Sequence, residues 1–129
     1  MLFTEETLEH LKHVREALAE VRGVLHPPTA DRPVIGAADK ALDHARDMAE
    51  VAREDLDAYQ EYAEEHEPSS ASTTETTLQE EVDRWERRVK RLRWARQRLR
   101  ESTLTDADRI GPASEALDND IRRLSRYLD

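Results

Sequence analysis

The chain is predicted to be all-α, an antiparallel four-helix bundle of long amphipathic helices, and three features predict it. Only 3 Gly and 5 Pro interrupt 129 residues, against a background rich in Ala, Glu, Arg and Leu, which lose little side-chain freedom in a helix. Apolar residues recur at spacings of three and four along four stretches. Each stretch is bounded by proline, glycine or a polar tract. A chain of 129 residues can bury a core without metal or disulfide help, so a single helical domain over residues 1–129 is expected. A helical hairpin that completes its core by dimerisation satisfies the same pattern.

Helix 1 is expected from Thr4 to Leu25. Leu11, Val14, Leu18, Val21 and Leu25 form a heptad seam with Leu8 beside it. Thr4 suits the N-cap, although Thr7 stands where a capping box takes Glu or Gln. Glu5 and Glu6 suit the positive end of the helix dipole. His26-Pro27-Pro28 ends the run, and the residues up to Gly36 read as a loop with Val34 and Ile35 tucked inward.

Helix 2 is expected from Ala37 to His66, with Ala38, Ala41, Ala45, Met48, Ala52 and Tyr59 in its central seam. Leu42, Ala49, Leu56 and Ala63 flank the seam on one side, and Val51 and Ala58 widen the other. So broad an apolar face implies more than one neighbour. Tyr59 is expected in the core and Tyr62 at an interface edge, each hydroxyl reaching water. Glu67-Pro68 stops the helix, and residues 67–77, which include SSASTTETT, read as a mobile polar loop between two helical hairpins.

Helix 3 is expected from Leu78 to Glu101, with the seam Leu78, Val82, Trp85, Val89, Leu92 and Leu99 interrupted by Arg96. A charge at a seam position snorkels near an open end or specifies register. Leu104 to Ile110 reads as a turn or short helix. Gly111-Pro112 then opens helix 4, where the missing proline N–H is harmless. Ala113, Leu117, Ile121, Leu124 and Leu128 make its stripe.

Composition narrows the function. Without Cys, disulfides, thiolate chemistry and Cys-based zinc sites are excluded, and a cytoplasmic location is the simplest reading. No apolar run approaches the roughly 18–20 residues of a membrane span, and Met1-Leu2-Phe3-Thr4 does not begin a signal peptide. The residues three before the five His are Thr7, His10, Gly23, Ala41 and Ala63, so the Glu-x-x-His motif of bundle di-iron sites is missing. No metal and no cofactor are expected. No serine lies in a Gly-flanked nucleophile turn, no Gly-rich phosphate loop exists, and carboxylates spread along helix faces are usually solubilising. The chain reads as a non-enzyme.

Charge is the feature left over. Residues 1–83 carry −14, residues 84–100 carry +8 and residues 101–129 carry −3, for a net −9. Within the basic segment, Trp94 lies away from the seam with Lys90, Arg91 and Arg98 as helical neighbours, and Arg87 one turn earlier. These five, Arg87, Lys90, Arg91, Trp94 and Arg98, are the candidate partner-binding or phosphate-binding residues. Trp and Arg are frequent protein-interface anchors, and the same set suits stacking a base while gripping phosphates. Alternatively, the basic helix sits among acidic helices and is neutralised within the fold, with Glu16, Glu20, Asp43, Asp47, Glu50, Glu54 and Asp57 as candidate partners. Acidic flanks repel nucleic acid, so a protein partner or self-association is favoured over nucleic acid.

Glu86-x3-Lys90-x2-Arg93-x3-Gln97-x3-Glu101 resembles the Glu-x3-Ser-x2-Arg-x3-Gln-x3-Asp helix motif of cyclic-di-GMP-binding anti-sigma factors, helical hairpins that bind the dinucleotide and a sigma factor. Lys90 stands in place of the Ser, Glu101 in place of the Asp, and no second copy is present. The expected function is therefore that of a small helical interaction protein, an adaptor, antitoxin-like inhibitor or regulator. The alternative is nucleic-acid or anionic-nucleotide binding through residues 84–100.

Overall fold

A computed structural model describes residues 4–25, 30–66 and 71–128. Four helices follow in order: α1 (Glu5–Val24), α2 (Val34–His66), α3 (Ala71–Glu101) and α4 (Ile110–Leu128). Among the described residues there is no strand, only an isolated bridge between Pro33 and Arg109. The chain divides into two compact units. Met1–Leu42 with Arg91–Asp129 form the first, and Asp43–Lys90 the second, so α2 and α3 each contribute to both.

The first unit is a helical bundle with an apolar interior. Leu18, Leu42, Leu92, Leu99 and Ile110 are its largest fully buried side chains. Ala37, Ala38, Ala41 and Ala95 are buried beside them, and such small residues let helix backbones approach closely. Truncating one of the buried leucines to Ala would remove about 2–5 kcal/mol. Thr4 caps α1 as expected: its Oγ1 accepts from the Thr7 N–H at 3.3 Å, and the Thr7 hydroxyl lies 3.3 Å from it in place of an acidic box partner. At the other end the Leu25 N–H donates to the Val21 carbonyl. The expected terminators His26, Pro27 and Pro28 lie outside the described residues.

α2 begins at Val34, three residues earlier than expected. The loops before α2 and α4 cap each other. Val34 N–H donates to Asp108 O at 2.9 Å, Ile110 N–H to Arg32 O at 2.9 Å, and Gly111 N–H to Ala30 O at 2.9 Å. First-turn amides have no partner inside their own helix, so these bonds allow α2 to start immediately after Pro33 and α4 immediately after Arg109. Residues 102–109 are a turn closed by Asp108, whose carboxylate accepts from the Thr105 N–H and, at 3.1 Å, from the Thr105 hydroxyl. α4 then buries Ile110, Ala113, Leu117, Ile121 and Leu124 on one stripe and packs on α1.

The second unit pairs the remainder of α2 with the start of α3. Ala45, Ala52 and Leu56 are buried from α2, and Val82, Trp85 and Val89 from α3. α3 starts at Ala71, so residues 71–77, expected in a loop, are helical. The serine/threonine tract is accommodated in the helix, with Thr77 Oγ1 donating to the Thr73 carbonyl at 3.0 Å. Glu75 is also held, accepting from the Gln60 amide at 3.0 Å. Glu67, Pro68, Ser69 and Ser70 lie outside the described residues.

Candidate functional site

Segregated charge meets two kinds of environment along α3. In the first unit Arg91, Arg96 and Arg100 are answered from within, while Arg93 and Arg98 make no ion pair among the described residues. The Arg91 guanidinium lies 3.1 Å from Glu20 and 3.4 Å from Glu16 on α1. It also covers the Trp94 ring, 4.2 Å from the centroid, while His13 meets that ring edge to face at 6.2 Å. Half-buried Trp94 is thus held between an arginine and a histidine. Asp39 accepts from Arg100 at 2.9 Å and lies 3.8 Å from Arg96. Each such partly exposed pair contributes roughly 0–1 kcal/mol, so together they select the seating of α3 more than they hold it.

Arg96 does not occupy the seam. Ala95 is fully buried between Leu92 and Leu99, and Arg96 lies beside it at the edge, directed to Asp39. A one-residue shift of this kind is favoured because the small methyl fits where helices meet and the guanidinium keeps a carboxylate and water. Arg98 is half-exposed and lines a shallow depression with Glu5, Glu6, Glu9, His10 and His13. No group of three or more His, Asp or Glu among the described residues is arranged to hold a metal ion.

The second unit has a different balance. Trp85 is 7% exposed; its indole N–H donates to Glu81 at 2.9 Å, and the Arg88 guanidinium lies 5.2 Å from its ring. His44 packs edge to face on the same indole at 6.0 Å. Arg53 on α2 bonds Glu86 on α3, and this bond, followed by the attraction of the same carboxylate, raises the Arg53 pKa further above its usual value. Arg84 turns back to Glu81 at 2.7 Å.

The other two candidates, Arg87 and Lys90, are exposed and have no ion-pair partner among the described residues. Neither do Asp47, Glu50 and Glu54 on α2, which the charge pattern matches to basic α3 side chains. The five candidates therefore separate: Arg91 and Trp94 come together, Arg98 faces the acidic depression, and Arg87 and Lys90 stand exposed. Within the Glu86–Glu101 pattern, Gln97 bonds Glu101 at 3.0 Å, while Lys90 and Arg93 are exposed.

Two α2 features differ from expectation. Val51 is 49% exposed and Ala58 is exposed as well, so the side of α2 they widen has no covering neighbour in this unit. The Tyr59 hydroxyl, expected in water, is buried and makes no hydrogen bond among the described residues. The sequence did carry a signal for the open flank: an apolar arc too wide for one partner. Comparison with protein-family models, with curated proteins and with solved structures gives no match for this chain.

Proposed function

We propose that the chain is a non-enzymatic helical interaction protein that engages a protein partner through helix faces of its α2/α3 hairpin. One observation carries the reading: in the second unit α2 has a wider apolar face than α3 covers, leaving Val51 half exposed beside buried Ala52. The register of the contacts supports an antiparallel hairpin, since Arg53 meets Glu86 and, further along α2, Gln60 meets the earlier Glu75. Both units serve one working domain in this reading, and a chain without cysteine suits the cytoplasm. In the first unit Trp94, Arg91 and Arg98 form a second candidate contact.

A photo-crosslinking amino acid at Val51, compared with one at exposed Arg22 on α1, tests the proposal in cells that produce the protein. Discrete adducts at position 51 and none at position 22 are the expected result. Equal labelling at both positions, or none at either, would overturn it. A second reading, anion or single-strand binding by the basic helix, is favoured by exposed Arg87 and Lys90, which lack a carboxylate among the described residues. It predicts oligonucleotide affinity that falls steeply with salt, and an affinity indifferent to salt would remove it.

A further inference from the structure

We propose that the partner of the α2/α3 hairpin is a second copy of this chain, the acidic row of one α2 lying against the basic row of the other copy's α3. This rests on the interface reading above and gives its partner an identity. Within Asp43–Lys90, the α2 portion carries nine acidic and two basic side chains, and the last seven residues of the α3 portion carry four basic and one acidic. If one hairpin satisfied itself, these rows would pair across it. They do so only in the reverse sense, with the basic Arg53 of α2 on Glu86 of α3.

The remaining cations turn elsewhere. Arg84 bonds Glu81 on its own helix, Arg88 lies over Trp85, and Arg87 and Lys90 stand exposed without a carboxylate among the described residues. Asp47, Glu50 and Glu54 on α2 are likewise exposed and without a cation among the described residues. Two unanswered rows of opposite sign in one short hairpin are complementary to each other. Because the chain does not use both on itself, a second copy is the partner whose chemistry the surface already specifies.

Helical geometry places the apolar row correctly for this contact. Val51 and Ala58 are seven residues apart, two turns along one side of α2. Asp47 and Glu54 lie one turn before each of them, on the side away from the buried seam. A helix laid on this flank would cover Val51 and Ala58 first and meet the carboxylates at its edge, an arrangement of apolar centre and charged rim common to protein interfaces. Two-fold symmetry makes every contact twice, so rows of modest length are sufficient.

Analytical ultracentrifugation of the full chain tests the proposal. The native chain is expected to form dimers reversibly in the micromolar range, and Val51→Glu to weaken the dimer roughly 30-fold or more with helicity unchanged. Arg87→Glu with Lys90→Glu in one preparation, and Glu50→Lys with Glu54→Lys in another, should each dimerise roughly 10-fold more weakly. Their mixture should recover most of the native affinity, because in the mixed dimer both contact sets are again of opposite sign, one in the native sense and one reversed. Rescue on mixing also shows that both variants remain folded. A chain that stays monomeric to high concentration would overturn the second-copy proposal, as would a dimer untouched by the reversals. Crosslinks from Val51 to another protein, together with a monomeric chain, would do the same while leaving the interface reading intact.

Discussion

A Cβ built at Gly111 would lie 2.8 Å from the Ala30 Cβ and 3.4 Å from its Cα and carbonyl oxygen, closer than folded chains allow. Gly111 sits at the start of α4, where its N–H bonds the Ala30 carbonyl, and an added methyl must push that capping loop away. Gly111→Ala is therefore expected to lower stability by about 1–3 kcal/mol in denaturant unfolding. Gly23 gives the opposite case. It lies inside α1 with nothing within 4 Å of the position an added methyl would take, so Gly23→Ala should raise stability by about 0.5–1 kcal/mol. Gly111-Pro112 could be read from the sequence as a helix start, but the contact with Ala30 is non-local and has no local signal. The same holds for Arg96. Spacing placed it on the seam, whereas the small neighbouring Ala95 was the better fit and Asp39 drew the guanidinium to the edge.

Among the elements, α1 and α4 follow their periodicity closely, because each has one narrow apolar stripe and a cap or start signal. α3 shows where local reasoning gave out. Residues 71–77 have loop-like composition yet form its first turns, where the Thr77 hydroxyl is satisfied by the Thr73 carbonyl and Gln60 holds Glu75. Thr77→Pro tests this directly. In a helix it removes an amide donor and clashes with the preceding turn, costing about 3 kcal/mol, visible as lost ellipticity and an earlier unfolding transition; in a loop it would be nearly silent. α2 shows the converse. Its wide apolar arc was legible and implied more than one neighbour, whereas Val51 and Ala58 are exposed within their unit.

For the molecule as a whole, the helical class and the number of helices were legible, and the division into two units was not. Seam residues run continuously through α2 and α3 and carry no mark where one unit gives way to the other. The candidate residues were legible as a cluster, but their separation into answered and unanswered charges depends on acids far away in sequence, such as Glu16 and Glu20. Only tertiary structure brings these to Arg91. The backbone bonds joining residues 30–34 to 108–111 bear on how the chain reaches this state. The first turns close locally, Ala37 N–H on the Pro33 carbonyl and Ala113 N–H on the Arg109 carbonyl, but the Val34, Ile110 and Gly111 amides find their backbone partners only when segments far apart in the sequence meet, and closing so long a loop is slow. The start of each helix is thus expected to form late, with the other. In hydrogen–deuterium exchange the Val34, Ile110 and Gly111 amides should be released together and at a rate near that of global unfolding, instead of fraying like ordinary helix ends.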